Sequence, residues 1–553
     1  MTARRRSGPE FDADFIVVGA GSAGCVLAER LSADPDISVL LVEAGGPNTA
    51  PLLRVPMAFA RTTTDPRFAT HHAAHLTEPT DRIEPWIRGR GLGGSSAING
   101  MMYLRGDAAD YDALAGRGFP GFTWPAALSA FRAMEDHTLG GSALRGSGGP
   151  LRVQAAPPVG TVSEAVLEVS SAMGWPRVDD VNAAEGARIG PVPSTIDRGT
   201  RVSAATAFLR PALRRRNLTV LTDARVGHLL LDADRGRRDP TERDSHPVGV
   251  RGVVVRRRGS TRELRCRREV IVAAGTVESP LLLERSGIGD PEVLRNAGVA
   301  PRVASPRVGE GVVEHRAVPV RVRLRPGLGR NAALSSRIGL LRGALRYAVS
   351  GSGPLTTGPY DLAAFVCSAP DVPRPDVLSL WTAMSADPGA EHLRAAPYPA
   401  LTVTSYPLRP TTESSVHLSG PDPADPPVIE ARYLRTQEDR DVSEGVLHTV
   451  RTALATGPLS HLVAEEEAPG PNVGADGTAW SYALDAGGGL YHAVGSCSVA
   501  SGGQGVVDDE LRVRGVAGLR VVDASVFPRH VSGGTAAPVM ALAWHMSARI
   551  QES

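Results

Sequence analysis

A short apolar strand, Phe15-Ile16-Val17-Val18, runs into Gly19-Ala20-Gly21-Ser22-Ala23-Gly24 and then into a helical stretch from Cys25 to Leu31. A second apolar strand, Ser38 to Val42, follows and ends on Glu43. Strand, glycine turn, helix and strand in that order make a βαβ unit, which commits the opening of the chain to a parallel, doubly covered sheet. Each glycine has a task. The first permits the tight turn, the second lets backbone approach a pyrophosphate, and the third allows close packing of helix on strand, with the phosphates over the helix N-terminus. Glu43 stands nineteen residues after Gly24, where an acid accepts hydrogen bonds from a ribose diol. Gly19, Gly21, Ser22, Ala23, Gly24, Glu43 and the adjoining Ala44 are therefore candidate dinucleotide contacts. The fingerprint alone does not separate a flavin from a nicotinamide dinucleotide.

Composition removes other chemistries. The chain contains no lysine, so all 60 basic residues are arginine. That excludes a Schiff-base or pyridoxal lysine, the phosphate-loop lysine and the kinase strand lysine. A formal net charge of +1 argues against a nucleic-acid binder. Cys25, Cys266, Cys367 and Cys497 lie far apart, without the spacing of a disulfide framework or a structural zinc site. The basic start, with Arg4, Arg5 and Arg6, lacks the apolar core of a signal peptide, and no apolar run reaches bilayer length. The expectation is a soluble, cytoplasmic protein of two or more domains with no integral membrane segment.

Along the rest of the chain, glycine-dense loops such as 89–100 alternate with helical stretches such as 111–135. Residues 217–231, 248–255 and 265–272 read as strands of a meander, interrupted by a charged insertion from Asp232 to His246. Residues 317–400 are rich in proline and glycine and show weak periodicity. No tandem repeat is present. A late strand, Gly518 to Val522, ends on Asp523 and Ala524, and Pro538 to Ile550 reads as a closing helix.

The block Gly89-Arg90-Gly91-Leu92-Gly93-Gly94-Ser95-Ser96-Ala97-Ile98-Asn99-Gly100-Met101-Met102-Tyr103-Leu104-Arg105-Gly106 resembles the first signature of the glucose-methanol-choline (GMC) oxidoreductases. The run from Gly275 to Gly289, GTVESPLLLERSGIG, resembles their second signature, and 201–218, 409–433 and 506–528 are similar as well. The resemblance implies an α/β protein: a Rossmann-like FAD-binding domain with a second α+β substrate domain built on an antiparallel sheet. It divides the chain into an FAD domain of residues 12–155, 200–316 and 488–553 and a substrate domain of 156–199 and 317–487. It also implies that Arg90, Leu92, Gly93, Gly94, Ser95, Asn99, Gly100, Met101, Met102, Ala274, Gly275 and Thr535 belong to the cofactor site. Val226 is expected at the adenine end, and Asp523 and Ala524 near the ribityl and pyrophosphate groups. Some relatives carry an FAD-linked histidine at the position of Ile98; isoleucine cannot form that bond, so non-covalent FAD is expected.

The segment Tyr491-His492-Ala493-Val494-Gly495-Ser496-Cys497 resembles the family's H-x-x-G-[TS]-C, which carries the base that takes the hydroxyl proton while hydride leaves for flavin N5. Imidazole suits the task because its ordinary pKa lies near working pH. His492 is the candidate catalytic residue, and Cys497 is expected to be an inert buried thiol. The family's second catalytic residue, a histidine or asparagine, falls in a segment that here reads Ser532-Gly533-Gly534-Thr535-Ala536-Ala537-Pro538, so Ala536 stands in its place. His530, six residues upstream, is expected elsewhere in the loop.

Two readings follow: an FAD-dependent alcohol oxidase or dehydrogenase that passes electrons to oxygen, a quinone or another acceptor, or, prompted by Ala536, a non-redox or light-driven lyase or decarboxylase on the same scaffold. Val308 to His315 resembles the family's V-G-x-N-L-x-D-H with Gly311 and Glu314 as departures expected to alter local packing. His71, His72 and His75 lack an acid at ligand spacing; the 71/75 pair could align on a helix, but no metal site is expected.

Overall fold

The structure, a computed structural model, describes residues 12–77, 81–157, 160–232, 247–387, 394–474 and 477–552. Strand β1 (Ala13–Val18) is buried along its length and is followed by helix α1 (Ser22–Leu31) and strand β2 (Val39–Val42). β2 lies parallel to β1, with Phe15 opposite Val39 and Val18 opposite Val42. β3 (Leu218–Leu221) joins outside β2, also parallel. β4 (Ala224–Leu231), β5 (Val248–Arg257) and β6 (Ser260–Val272) form an antiparallel meander.

The long strand β6 joins the two arrangements. Its first half pairs with β5, and its apolar end, from Val270 to Val272, lies parallel to β1 on one side and to Leu519–Val521 on the other. The ends of β1, β2 and β6 thus open on one crevice, the place where parallel sheets bind nucleotides. Helix α2 (Gly275–Arg285) leaves directly from β6. The charged insertion from Asp232 to His246 lies outside the described residues apart from Asp232.

A second sheet stands over that crevice. It contains β7 (Val318–Leu324), β8 (Leu362–Val366), β9 (Val377–Thr382) and β10 (Ala400–Pro407), all antiparallel, with Val463–Ala468 and Arg188–Pro191 at its edges. Between β7 and β8 the chain forms helix α3 (Arg337–Ser350). The amphipathic helix Gln437–Leu454 covers the sheet with Val446, Leu447, Val450 and Leu454. Each sheet has its own large apolar core. The fold is therefore a Rossmann-like α/β unit with an α+β unit built on an antiparallel sheet.

Residues 317–400, barely readable in sequence, supply three strands of this second sheet and the first residue of β10. β8 and β9 are buried on both faces and so show no alternation. The expected helical stretch 111–135 is two helices, Ala108–Gly116 and Trp124–Met134, parted by a turn with Gly118 at φ +98°. The closing helix α4 (Ala536–Glu552) begins two residues before Pro538 and packs on α1.

Candidate active site

A cavity of about 800 Å³ runs from the first glycine turn to the loop carrying His492. At the nucleotide end, a Cβ on Gly24 would lie 1.8 Å from the Gly19 carbonyl oxygen, so no other residue lets α1 sit this close to β1. α1 has no side-chain cap at its N-terminus. Its first amides and the positive end of its dipole face a wall formed by Gly19, Gly21, Ser22 and Ala23, a donor set that suits a pyrophosphate. The second glycine block touches the first: a Cβ on Gly94 would approach the Gly21 Cα to 2.7 Å, and the Gly93 amide donates to the Ala20 carbonyl at 2.8 Å.

Glu43 ends β2 and is buried. Its Oε2 accepts from the Ala20 amide at 2.8 Å, and its Oε1 accepts from the amides of Gly45 and Gly91 at 2.7 and 2.9 Å. A carboxylate has about four acceptor sites, so roughly one remains for a ribose hydroxyl. Asp523 is fuller still. Its Oδ2 accepts from the Gly275 amide and the Ser279 hydroxyl, and its Oδ1 from the Ser525 amide and hydroxyl. Asp523 ties the strand at 519–521 to the first turn of α2; its carboxylate is committed to the protein, while its position still faces the cavity.

Ala44, Arg90, Ser95, Asn99, Gly100, Met101, Met102, Val226, Ala274, Gly275, Ala524 and Thr535 also line the cavity. Three expected contacts do not: Gly24, Leu92 and Gly93 lie behind the wall and shape it. Ile98 is buried and lines the cavity with a side chain that forms no covalent link. The wall of backbone amides and glycines, with Glu43 placed for a ribose, fits a dinucleotide such as FAD.

At the other end, buried Glu314 accepts from the amides of His315 and His492 on one oxygen (2.9 and 2.8 Å) and from that of Ala493 on the other (2.9 Å). Expected only to alter packing, Glu314 instead holds the loop that carries His492. Burial pushes its carboxyl up to about 7 against the pull of Arg88 and the three amides. The hydroxyl of Thr276, in the first turn of α2, donates to the Ala493 carbonyl at 2.6 Å, and the Ser496 hydroxyl donates to the Thr276 carbonyl at 2.7 Å. The loop is thus fastened from both sides.

His492 Nδ1 lies 3.0 Å from His315 Nδ1, and His315 Nε2 lies 3.1 Å from the Leu408 carbonyl. A carbonyl only accepts, so His315 carries its proton on Nε2 and offers the Nδ1 lone pair to an Nδ1 proton on His492; the hydrogen-bond network assigns both tautomers. The lone pair of His492 is then on Nε2. That atom is the nearest neighbour a Cβ on Gly534 would meet, at 3.4 Å, beside Thr535 and Ala536 in the cavity wall. Burial, then the neighbouring His315 and Arg88, hold His492 well below the usual imidazole pKa.

His530 does not take the vacant role at position 536. Its ring stacks on His315 with centroids 3.9 Å apart, and its Nε2 faces the Val313 carbonyl at 3.2 Å, outside the cavity lining. Tyr406, at the end of β10, is a residue that sequence reasoning missed. It lines the cavity, its ring lies 4.6 Å from His315 and 6.0 Å from His492, and its buried hydroxyl has no hydrogen-bond partner among the described residues. No motif marks it.

Cys497 is fully buried and its thiol is pushed well up by desolvation, which leaves it inert. The three upstream histidines lie on the strand Ala69–Leu76, not on a helix: His71 and His75 are exposed, His72 is buried and held at about 4 by burial, and His71 and His72 both line the cavity. Among the described residues, one group has metal-ligand spacing, Glu314, His315 and His492. The Glu314 oxygens carry three amides and the Nδ1 atoms of both rings face each other, so these atoms are already engaged.

GMC oxidoreductase family models match residues 13–317 and 410–543. The chain is 31% identical over 548 residues to an oxygen-dependent choline dehydrogenase of Photobacterium profundum, covering 96% of this chain and 91% of the relative. It is 32% identical over 543 residues to the mitochondrial choline dehydrogenase of Homo sapiens, covering 96% and 88%. Among solved structures, pyridoxine 4-oxidase from Mesorbium loti superposes with a TM-score of 0.85 at 28% identity, covering 98% of this chain and all of the other. No described helix is long and apolar enough to cross a membrane.

Proposed function

Because this chain belongs to the GMC oxidoreductase family and is an FAD-dependent alcohol oxidase or dehydrogenase, we propose that it oxidises the CH–OH group of a neutral, largely apolar alcohol with His492 as the base. The observation that carries this reading is the chain of contacts from the Leu408 carbonyl through His315 to His492 Nδ1, which leaves the His492 lone pair on Nε2 beside Gly534 in the cavity wall. The glycine turns, Glu43 and the residues from Asn99 to Met102 would hold FAD, which would supply the hydride acceptor.

The substrate hydroxyl donates its proton to His492 Nε2. Positioned general bases are worth roughly 10²- to 10⁴-fold in rate. Neutral His492 at working pH follows from its depressed pKa, and its orientation from the amides gripped by Glu314. As the proton leaves, the substrate oxygen gathers charge and needs a donor. Ala536 has none to give. The Tyr406 hydroxyl, in the same wall and without a hydrogen-bond partner among the described residues, serves instead. Ala536 was the ground for the non-redox alternative, and a donor at Tyr406 would supply what position 536 lacks.

Near His492 the described wall consists of Met102, Pro359, Tyr360, Leu380, Tyr406, Leu490 and Tyr491, with Arg88 as the charged neighbour. The acids that line the cavity lie at the nucleotide end: Glu43, Glu278, Asp425 and Asp523. Arg88 pairs at 3.9 Å with Glu314, which lies behind the wall, so a quaternary ammonium would find no carboxylate among the lining residues at this end, and choline is disfavoured against a neutral aliphatic or aromatic alcohol. Anaerobic mixing of the FAD enzyme with choline and with a panel of neutral primary and secondary alcohols tests this. The visible flavin absorbance should bleach with neutral alcohols and stay with choline. A flavin that remains oxidised with every alcohol sinks the reading, and choline as the fastest substrate sinks its specificity.

A further inference from the structure

Helix α3 (Arg337–Ser350) presents its apolar side to solvent. Ile338, Leu341, Leu345 and Val349 are 65, 72, 63 and 79% exposed, and their spacing of three, four and four residues places them on one face. The opposite face, with Gly339, Gly343 and Tyr347, is the one that meets the protein; Gly343 backs onto Pro354 and Leu355. Arg342 and Arg337 flank the exposed stripe on either side, and Arg346 lies beyond Arg342. None of the three is in an ion pair among the described residues; Arg346 donates to the Ser352 hydroxyl at 3.0 Å. The sequence contains no acidic residue between Glu314 and Asp361.

We propose that α3 is an interfacial helix that seats this enzyme on the surface of an anionic lipid bilayer. An outward apolar stripe edged by arginines is the arrangement that lies in the headgroup plane, the stripe sunk into the acyl boundary and the guanidinium groups reaching to phosphates. Charge complementarity favours this occupant over a second copy of the chain. A two-fold pairing through this face brings arginines against arginines, with no acid on the segment to offset them.

The helix also sits beside the cavity. The turn that follows it leads to Pro359 and Tyr360, both in the cavity wall. Leu355 in that turn accepts from the Met57 amide at 3.3 Å, and just beyond Met57 stand Phe59 and Thr63, which also line the cavity. Docking by α3 would therefore hold this rim of the catalytic cavity one helix away from the lipid surface.

Co-sedimentation of the full-length, FAD-loaded protein tests the assignment without any need for turnover. The probes are vesicles of phosphatidylcholine alone and of phosphatidylcholine mixed with phosphatidylglycerol. The wild type should sediment with the mixed vesicles at low salt and be released as salt rises. Leu341→Glu with Leu345→Glu should abolish binding. Arg337→Gln, Arg342→Gln and Arg346→Gln should each weaken binding to the mixed vesicles roughly fivefold. Both sets should keep their FAD and their turnover of a water-soluble alcohol with a dye acceptor, since α3 contributes nothing to the cavity wall.

Three results overturn the proposal: wild type that stays in the supernatant with both vesicles at low salt, binding that survives the two glutamates, or light scattering that shows a dimer which the two glutamates convert to a monomer.

Discussion

The two ends of the cavity are built on opposite terms. At the nucleotide end the side-chain carboxylates are largely spoken for by the protein, Glu43 by three amides and Asp523 by four donors, and the groups left for a ligand are chiefly backbone amides at the uncapped start of α1. At the catalytic end, the Tyr406 hydroxyl and His530 Nδ1 are buried without hydrogen-bond partners among the described residues. Leaving a buried donor or acceptor unmatched costs roughly 1–3 kcal/mol. A fold retains that cost where a polar group is needed for something other than stability. The cradle is thus finished by folding, whereas the reactive end keeps polar capacity in reserve.

That contrast is broken most directly by removing the base. His492→Ala should lower kcat by roughly 10²- to 10⁴-fold while leaving the bound flavin spectrum and cofactor content unchanged, because the nucleotide end makes no use of the side chain. Stopped-flow reduction and a flavin-to-protein absorbance ratio measure both. Loss of cofactor along with activity would mean that the ends are not independent.

Next in size is Tyr406→Phe. Losing a hydrogen bond to an oxygen that gains charge costs roughly 1.5–3 kcal/mol, about ten- to a hundredfold in the reductive rate. The loss should fall on kcat more than on KM, since the bond tightens as charge develops. Adding Ala536→Asn to that variant places an amide donor at the position the family uses. Partial recovery is expected from the pair. A Tyr406→Phe enzyme with wild-type kcat removes the tyrosine from the mechanism.

The same contrast explains what the sequence reveals. The nucleotide end was legible because its parts are local: a glycine turn, a helix start and an acid at fixed spacing, all within 31 residues, and their chemistry needs the backbone at those places. His492 was legible through its own segment. Its partners were not. His315 lies 177 residues away, Glu314 178, and Tyr406 sits on a strand of the antiparallel sheet. Only the stacking of that sheet over the crevice brings them together.

Glu314 was visible as a departure from a motif, but nothing in the sequence says that its carboxylate grips the amides of His492 and Ala493. Gly24, Leu92 and Gly93 show the opposite error: motif membership placed them at the ligand, and the structure places them one layer behind it. The exposed stripe of α3 was hidden for another reason. Helical spacing of apolar residues reads as a buried face, and only the fold shows that the buried face is the glycine side.

A smaller effect is expected from Glu43→Gln. The amide keeps one oxygen for Gly45 and Gly91 but turns an NH₂ toward the Ala20 amide, setting donor against donor. One charge-assisted bond is lost at roughly 1–2 kcal/mol, about five- to thirtyfold in FAD affinity. Fluorescence titration of the deflavinated protein reads this directly, and kcat at saturating FAD should hardly change. Unaltered affinity would show that the carboxylate is dispensable to the cradle.

The smallest effect concerns pH. His492 must be unprotonated to accept the substrate proton, and burial, with His315 and Arg88 beside it, holds its pKa well below the ordinary 6.5. Protonation then competes only on the acid side. The profile of kcat/KM for a neutral alcohol should be flat through neutrality and fall in a limb whose midpoint lies below 6.5. Arg88→Met removes a positive charge that disfavours the imidazolium, so the limb should move upward, toward 6.5. The shift should be modest, because desolvation is the larger cause and the methionine leaves it in place. A wild-type limb centred at or above 6.5 would mean that the titrating group is not a buried His492.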